Sequence, residues 1–397
     1  MEVLLETSER LSKFTTDSFR RRLYQKINWE NRLIGIKGAR GTGKTTLMLQ
    51  RMKSLGKSST EAAYFTLDDL YFTTHSLVET AAEFRRKGGK ILFLDEVHKY
   101  PNWATHLKNL YDLYPDLQLI FTGSSIVDIS RQEVDLSRRV LMYELPGLSY
   151  REYLAFEGIV TIEALPLPLL LSENQDWKPF FPAGFKPLQY FEAYLSSGYY
   201  PFFREDKAGY RHRIQQLIRM IVEYDMAELK DFDIRNAKKM LQLLYVLAEN
   251  VPFKPNLSEL ADKSGIHRNS VNNYLHYLEQ AKLIKLLYRG GTGMVALQKP
   301  EKIYLENTNL AYALSLQKPD TGNLRETFFL NQVGYGHSVQ ESSVSDFLVE
   351  GLYTFEVGGK HKGKKQIEGI QKAYLVKDDV ESGFGTTLPL WLFGFLY

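Results

Sequence analysis

The sequence predicts an α/β fold built on a parallel sheet, and three observations carry that prediction. A short apolar run, Arg32 to Lys37, leads into the glycine-rich stretch Gly38-Ala39-Arg40-Gly41-Thr42-Gly43-Lys44-Thr45 and then into a helical run, TLMLQRMK. Further along, Ile91 to Leu94 is an apolar segment of strand length that ends in Asp95 and Glu96. Around these lie more strand candidates, Ala62 to Leu67, Leu117 to Phe121 and Val140 to Leu145, separated by helical spacing. Strands that alternate with helices build a parallel sheet with helices on its faces.

The chain has 397 residues, room for two to three domains at roughly 150 residues each. With 44% hydrophobic and 24% charged residues, 25 Tyr and 23 Phe, it has the composition of a folded globular protein, and wholesale disorder is excluded. A net charge of +3 is too small for the whole surface to wrap nucleic acid, so any such contact has to come from a local patch. The absence of cysteine rules out disulfides, thiolate nucleophiles and Cys-ligated metals, and points to a reducing, cytoplasmic compartment. The N-terminus has acidic residues where a signal peptide needs a basic stretch and an apolar run. No apolar stretch approaches the about 20 residues that a membrane span needs, and no membrane partner is expected.

The first strand, loop and helix read as a phosphate-binding loop. Glycines at 38, 41 and 43 let backbone N–H groups turn onto phosphates, and the following helix N-terminus adds a favourable dipole. Gly38, Ala39, Arg40, Gly41, Thr42, Gly43, Lys44, Thr45 and Thr46 are therefore the expected nucleotide contacts. Lys44 supplies the cation, and the Thr45 hydroxyl is placed to ligate Mg²⁺. Asp95, at the carboxyl end of its strand, is expected to hold the Mg²⁺ water shell, with Glu96 polarising the attacking water. The cofactors implied are ATP and Mg²⁺, and the catalytic pair is Glu96 and Lys44. Leu117 to Phe121 ends in Thr122-Gly123-Ser124-Ser125, where Thr122 and Ser124 are candidates for sensing the γ-phosphate, a plain strand-ending turn being the alternative. Arg138 and Arg139 precede the last strand; one of them could reach the phosphate of a neighbouring copy, or both could be a surface pair.

Together GARGTGKTTLM, FLDEVHKYPNW, TGSS, ELPGLSYREYL and YLSSGYYPFF resemble the prokaryotic AAA-type ATPases that carry a fused C-terminal domain of unknown function. The resemblance implies an AAA-like ATPase core, a helical lid, a winged helix and a degenerate nuclease-like tail, and it covers nearly the whole chain. His98 stands where relatives often have Gln and is expected to be a structural hydrogen bonder.

The division expected is 1–160 for an N-terminal helix and the ATPase core, 161–237 for a connector and lid, 238–310 for a winged helix-turn-helix, and 311–397 for an α/β nuclease-like domain. In the third segment Leu260 and Ala261 line one helix, Gly265 supplies a turn, and Val271, Leu275 and Leu278 repeat at i, i+4, i+7 on a second helix before a β-hairpin. Asn269, Asn272, Asn273 and His276 would face outward, able to hydrogen-bond base edges of duplex DNA. Cations are few there, so docking of a protein partner is the competing reading. In the last segment Asp346 and Glu356 resemble the metal-binding carboxylates of PD-(D/E)XK nucleases. A two-residue turn at Glu350-Gly351 would put them on opposite faces, whereas a three-residue loop ending at Leu352 pairs them and segregates Phe347, Val349, Tyr353 and Phe355 on the other face, which apolar segregation favours. The lysine that should follow Glu356 is displaced to Lys360, which argues against nuclease activity.

The functional expectation is an ATP-hydrolysing switch that couples nucleotide state to DNA binding, with homo-oligomerisation implied by a trans-acting arginine. A signalling or scaffold ATPase that binds another protein, or an ATP-gated nuclease, are the alternatives.

Overall fold

The computed structural model describes residues 1–124, 136, 138–172, 177–228, 232–249, 257–290, 299–315 and 317–397. The chain divides into two compact units, Met1–Gly147 and Leu148–Tyr397.

The first unit opens with α1 (Glu2–Phe14) and α2 (Arg22–Lys26), followed by β1 (Leu33–Gly38), α3 (Lys44–Ser54), β2 (Ala62–Thr66), α4 (Leu77–Arg86), β3 (Ile91–Asp95), α5 (Trp103–Leu113), β4 (Gln118–Ser124) and β5 (Leu141–Glu144). The five strands form one parallel sheet in the order β2-β3-β4-β1-β5. Its strands are near-continuous apolar runs because both faces are covered. Leu33, Phe65, Leu94 and Phe121 point to one side, where Phe84 of α4 and Leu107 of α5 meet them. Ile34, Ile36, Phe93 and Ile120 point to the other, against Leu47 and Met48 of α3. The expected fold class, α/β with a parallel sheet, is what the chain adopts.

The second unit contains α6 (Tyr150–Phe156), α7 (Leu167–Leu170), α8 (Leu188–Ser197), α9 (Tyr210–Met220), α10 (Ala237–Glu249), α11 (Leu257–Ser264) and α12 (Arg268–Gln280). After them come β6 (Ile284–Leu287) and β7 (Lys302–Leu305), an antiparallel pair, then α13 (Thr308–Leu314) and α14 (Thr321–Val333). The unit closes with β8 (Val339–Glu341), β9 (Phe347–Val349), β10 (Tyr353–Gly358), β11 (Ala373–Lys377) and β12 (Thr387–Pro389), in the order β12-β11-β10-β9-β8. β8, β9 and β10 pair antiparallel, while β10, β11 and β12 run parallel.

Division after Gly147 falls before the expected boundary at 160, because α6 packs into the second unit. The Tyr150 ring lies 5.3 Å from both Phe191 and Tyr194 and 5.8 Å from Phe395. Ser149 Oγ and Arg151 Nε both donate to the Tyr397 carbonyl, at 2.6 and 2.8 Å. On α12, Val271, Leu275 and Leu278 are buried as their spacing predicts, and Gly265 takes the turn at φ +65°. Residues 291–298, the expected tip of the hairpin, and the side chain of Asn269 lie outside what is described.

Among the described residues no helix is long and apolar enough to cross a membrane.

Candidate nucleotide site

β1 delivers the chain to the glycine loop, and α3 begins at Lys44, directly after it. Gly41 and Gly43 adopt φ +81° and +95°, a region that suits glycine and turns the backbone back toward the helix. At Gly38 the constraint is space, since a Cβ there would stand 2.3 Å from the Leu145 carbonyl oxygen. Lys44 is buried, and its Nζ donates to the carbonyls of Gly38 and Ala39 at 2.9 and 3.1 Å, so the amine already sits inside the loop it is meant to serve. The Thr42 hydroxyl donates to the Ala39 carbonyl at 2.9 Å and closes the loop on itself. Thr46 faces solvent one residue beyond Thr45.

A residue not singled out in the sequence braces this loop from outside. Arg21, buried at the start of α2, donates to the Thr42 carbonyl at 2.8 Å and to the carbonyls of Pro146 and Gly147 at 2.7 and 2.8 Å. Nothing in Arg21, the middle of three consecutive arginines on a mostly polar N-terminal segment, signals such a clamp.

β4 lies between β1 and β3, which places its tip between the loop and Asp95. Asp95 Oδ2 accepts from Thr45 Oγ1 at 2.6 Å and from the Tyr64 hydroxyl at 2.6 Å, while Oδ1 accepts from Thr122 Oγ1. Burial and the Asp95 charge push the Tyr64 phenol upward, so it stays a donor. The Thr122 hydroxyl also accepts the Glu96 N–H at 3.2 Å. Thr122 is fully buried, and its hydroxyl braces the acidic turn of β3. Ser124 is buried one step further along the strand. Glu96 occupies the left-handed region at φ +51°, a conformation that only a few per cent of non-glycine residues hold. His98 Nε2 lies 3.2 Å from Glu96 Oε2. Thr45, Asp95 and Glu96, expected to work together, are brought together.

Residues 30–154 match a family model described as AAA domain. This segment is similar to AAA domains. Residues 188–321 match a second model, a domain of unknown function designated DUF8612. An uncharacterised protein of Methanocaldococcus jannaschii, MJ1637, is 27% identical over 397 aligned positions, covering 92% of this chain and 84% of the relative. Among solved structures, AMPPCP-bound DnaA of Aquifex aeolicus is 16% identical with a TM-score of 0.27, covering 68% of this chain and 91% of that one. The Hsp104–ADP complex of Saccharomyces cerevisiae is 16% identical with a TM-score of 0.29, covering 70% of this chain and 39% of that one.

Within the matched segment, the sheet register separates Arg138 and Arg139 from the glycine loop of their own chain. β5 starts with Leu141 beside Ile34, at the N-terminal end of β1, whereas the loop leaves the other end after Gly38. Four strand residues span about 13 Å, so neither arginine reaches a phosphate held by its own copy. Arg139 is bound in a bidentate pair with Asp112 of α5, Nε to Oδ1 at 2.9 Å and Nη2 to Oδ2 at 3.0 Å. Arg138 is exposed.

The C-terminal carboxylates lie outside the matched segment. The β9–β10 register pairs Phe347 with Phe355 and Val349 with Tyr353, leaving the loop Glu350-Gly351-Leu352 and placing Asp346 opposite Glu356. That is the three-residue loop that apolar segregation favours, with Phe347, Val349 and Phe355 all buried on the other face. Asp346 accepts the Val357 N–H at 2.8 Å and lies 3.8 Å from Lys302 Nζ; Glu356 accepts from Ser345 Oγ at 2.8 Å and pairs with Lys362. The lysine at Glu356 is thus Lys362, not Lys360. The chain turns back after β10, and Lys362 lies over Gly358, where a Cβ would stand 2.6 Å from its methylenes. Lys360 is exposed. Among the described residues no group of three or more His, Cys, Asp or Glu is placed to hold a metal ion.

A third carboxylate, Glu326 on α14, accepts from the Tyr304 hydroxyl at 2.7 Å. Burial first, and the Asp346 charge second, push its carboxyl upward, and burial raises Asp346 as well. The folded state therefore holds these protons to higher pH than the unfolded chain does. Stability from this cluster is greatest below the ordinary carboxylate range and is lost as pH rises through the raised values. Glu326→Gln, which keeps an acceptor for Tyr304, is expected to unfold at a higher temperature than wild type at pH 8, by roughly 2–4 °C per kcal/mol of relief, and to differ little at pH 5. Melting curves at both pH values check this; a difference independent of pH would contradict it.

Proposed function

We propose that the AAA domain binds MgATP and hydrolyses it to ADP and phosphate. The observation that carries this reading is the convergence of Thr45 and Asp95 at 2.6 Å, across an intervening strand, with Glu96 next in the chain and Lys44 folded into the loop. Thr45 Oγ1 and Asp95 Oδ2 are hard oxygen donors and suit a Mg²⁺ ion carried in with the nucleotide, which supplies charge neutralisation at the phosphates. Lys44 exchanges the Gly38 and Ala39 carbonyls for phosphate oxygens. Glu96 accepts a proton as water oxygen bonds to the γ-phosphorus, and the bond to the β–γ bridging oxygen breaks, the electron pair leaving with ADP.

Arg138, the exposed member of its pair, acts in this reading on the nucleotide of a second copy. Turnover per chain should then rise with protein concentration in wild type and stay low and flat in Arg138→Ala. Concentration-independent turnover in wild type would rule it out.

The finer proposal is that nucleotide state sets duplex-DNA affinity through a winged helix built from α10, α11, α12 and the β6–β7 pair. It is supported by the solvent-facing Asn272 and Asn273 on α12, opposite its buried Val271, Leu275 and Leu278. His276 lies beside Glu279, whose carboxylate holds the imidazole proton more firmly than in a free ring. Base contacts specify while phosphate contacts position. Replacing Asn272 and Asn273 with Ala should lower sequence preference more than salt-dependent affinity, measured by fluorescence anisotropy with and without ATP. Wild-type protein that binds no duplex at low salt in either state would favour a protein partner instead.

A further inference from the structure

We propose that His98 is a positioning residue for Glu96, its imidazole tying the Glu96 carboxylate to the backbone at the tip of β4. This inference rests on the reading of Glu96 as the group that accepts the water proton.

The His98 side chain is 1% exposed, in the short turn that follows Glu96. Its Nδ1 accepts a long hydrogen bond, 3.4 Å, from the Ser124 N–H. An Nδ1 that accepts leaves the proton of a neutral ring on Nε2. Nε2 faces Glu96 Oε2 at 3.2 Å, close enough for a hydrogen bond but outside hydrogen-bonding alignment, and it has no other partner among the described residues. A buried N–H is costly to leave unmade, so a small rotation of the carboxylate onto Nε2 is favoured. The imidazole is neutral, so its approach to the carboxylate is that of an N–H donor and not of a cation. Burial, then the nearby Lys99, Lys44 and Arg40, hold the imidazole down to about 3.

Two features give this bridge a purpose. The carboxylate of Glu96 leaves a backbone fixed at φ +51°, so its direction is set by the turn and by whatever its oxygens bind. Ser124 ends the strand that passes between the glycine loop and Asp95. A shift of that tip on engaging the γ-phosphate moves the His98 ring, and with it the carboxylate. The ring thereby couples occupation of the phosphate site to orientation of the base. Misplacing a catalytic group by about 1 Å costs up to ~10²-fold in rate with little effect on binding.

The test compares His98→Leu, which removes both nitrogens, with His98→Gln, whose amide supplies an acceptor for Ser124 and a donor for Glu96. ATP turnover and ATP affinity are measured for each, alone and combined with Glu96→Gln. Expected are a fall in kcat of at least ~10-fold in His98→Leu at unchanged ATP affinity, and recovery in His98→Gln to within ~3-fold of wild type. In the Glu96→Gln background, His98→Leu should cost nothing further, because the group it positions is gone. ATP-induced thermal stabilisation reports folding; His98→Phe, which keeps a flat ring without nitrogens, replaces Leu if that variant does not fold. Full kcat in the Leu or Phe variant, or the same loss in the Glu96→Gln background as in wild type, overturns the inference. Turnover that is indifferent to Glu96→Gln fails the reading of Glu96 itself, a separate outcome from turnover that needs Glu96 but not His98.

Discussion

Lys44→Ala is expected to abolish ATP binding while leaving both units folded. The Lys44 amine is the buried cation of the glycine loop, held by the Gly38 and Ala39 carbonyls. Without it, the β- and γ-phosphates keep the backbone N–H groups, the helix N-terminus and the Mg²⁺ that arrives with the nucleotide, but lose the full positive charge inside the loop. Saturating wild type to about 100 times Kd should raise its unfolding free energy by ~2.7 kcal/mol, a shift that disappears in the variant. The check is the thermal midpoint with and without MgATP. A Lys44→Ala variant that ATP stabilises as strongly as wild type would show that the phosphates sit elsewhere.

Glu96→Gln separates binding from chemistry. The amide keeps the size of the side chain and its reach toward His98, but it cannot take the proton of an attacking water. Turnover should fall at least ~10²-fold, the usual worth of a general base, with ATP affinity unchanged. Radiolabelled ATP retained intact by the variant, under conditions in which wild type releases phosphate, is the expected result. Equal turnover in the two proteins would remove Glu96 from the mechanism.

Much of this site is legible in sequence because its parts are local. A strand, a glycine loop and a helix occupy consecutive residues from Leu33 to Ser54, and the buried strand Ile91–Asp95 announces its carboxylate by ending in it. The pairing of Asp346 with Glu356 is legible for a related reason, since period-two burial leaves one loop length that hides Phe347, Val349 and Phe355 together. What sequence does not reveal is non-local. Tyr64 sits in AAYFT, a strand whose apolar pattern gives no sign that one hydroxyl reaches Asp95. Thr122 reads as a strand-tip residue, either near the phosphate or in a plain turn, and its position gives no sign that the hydroxyl reaches Asp95. Lys362 replaces Lys360 beside Glu356 because the path of a glycine turn, not residue spacing, decides which amine returns to the strand. Glu326 comes from a helix distant in sequence, so no spacing links it to the other two carboxylates.

Phosphate release from ATP by the wild-type protein tests the central claim most directly. The account predicts multiple turnovers that require Mg²⁺ and stop when the metal is chelated, with ADP and phosphate formed in equal amounts. ATP that binds tightly to wild type and is recovered unhydrolysed, at every protein concentration and with Mg²⁺ present, would contradict it.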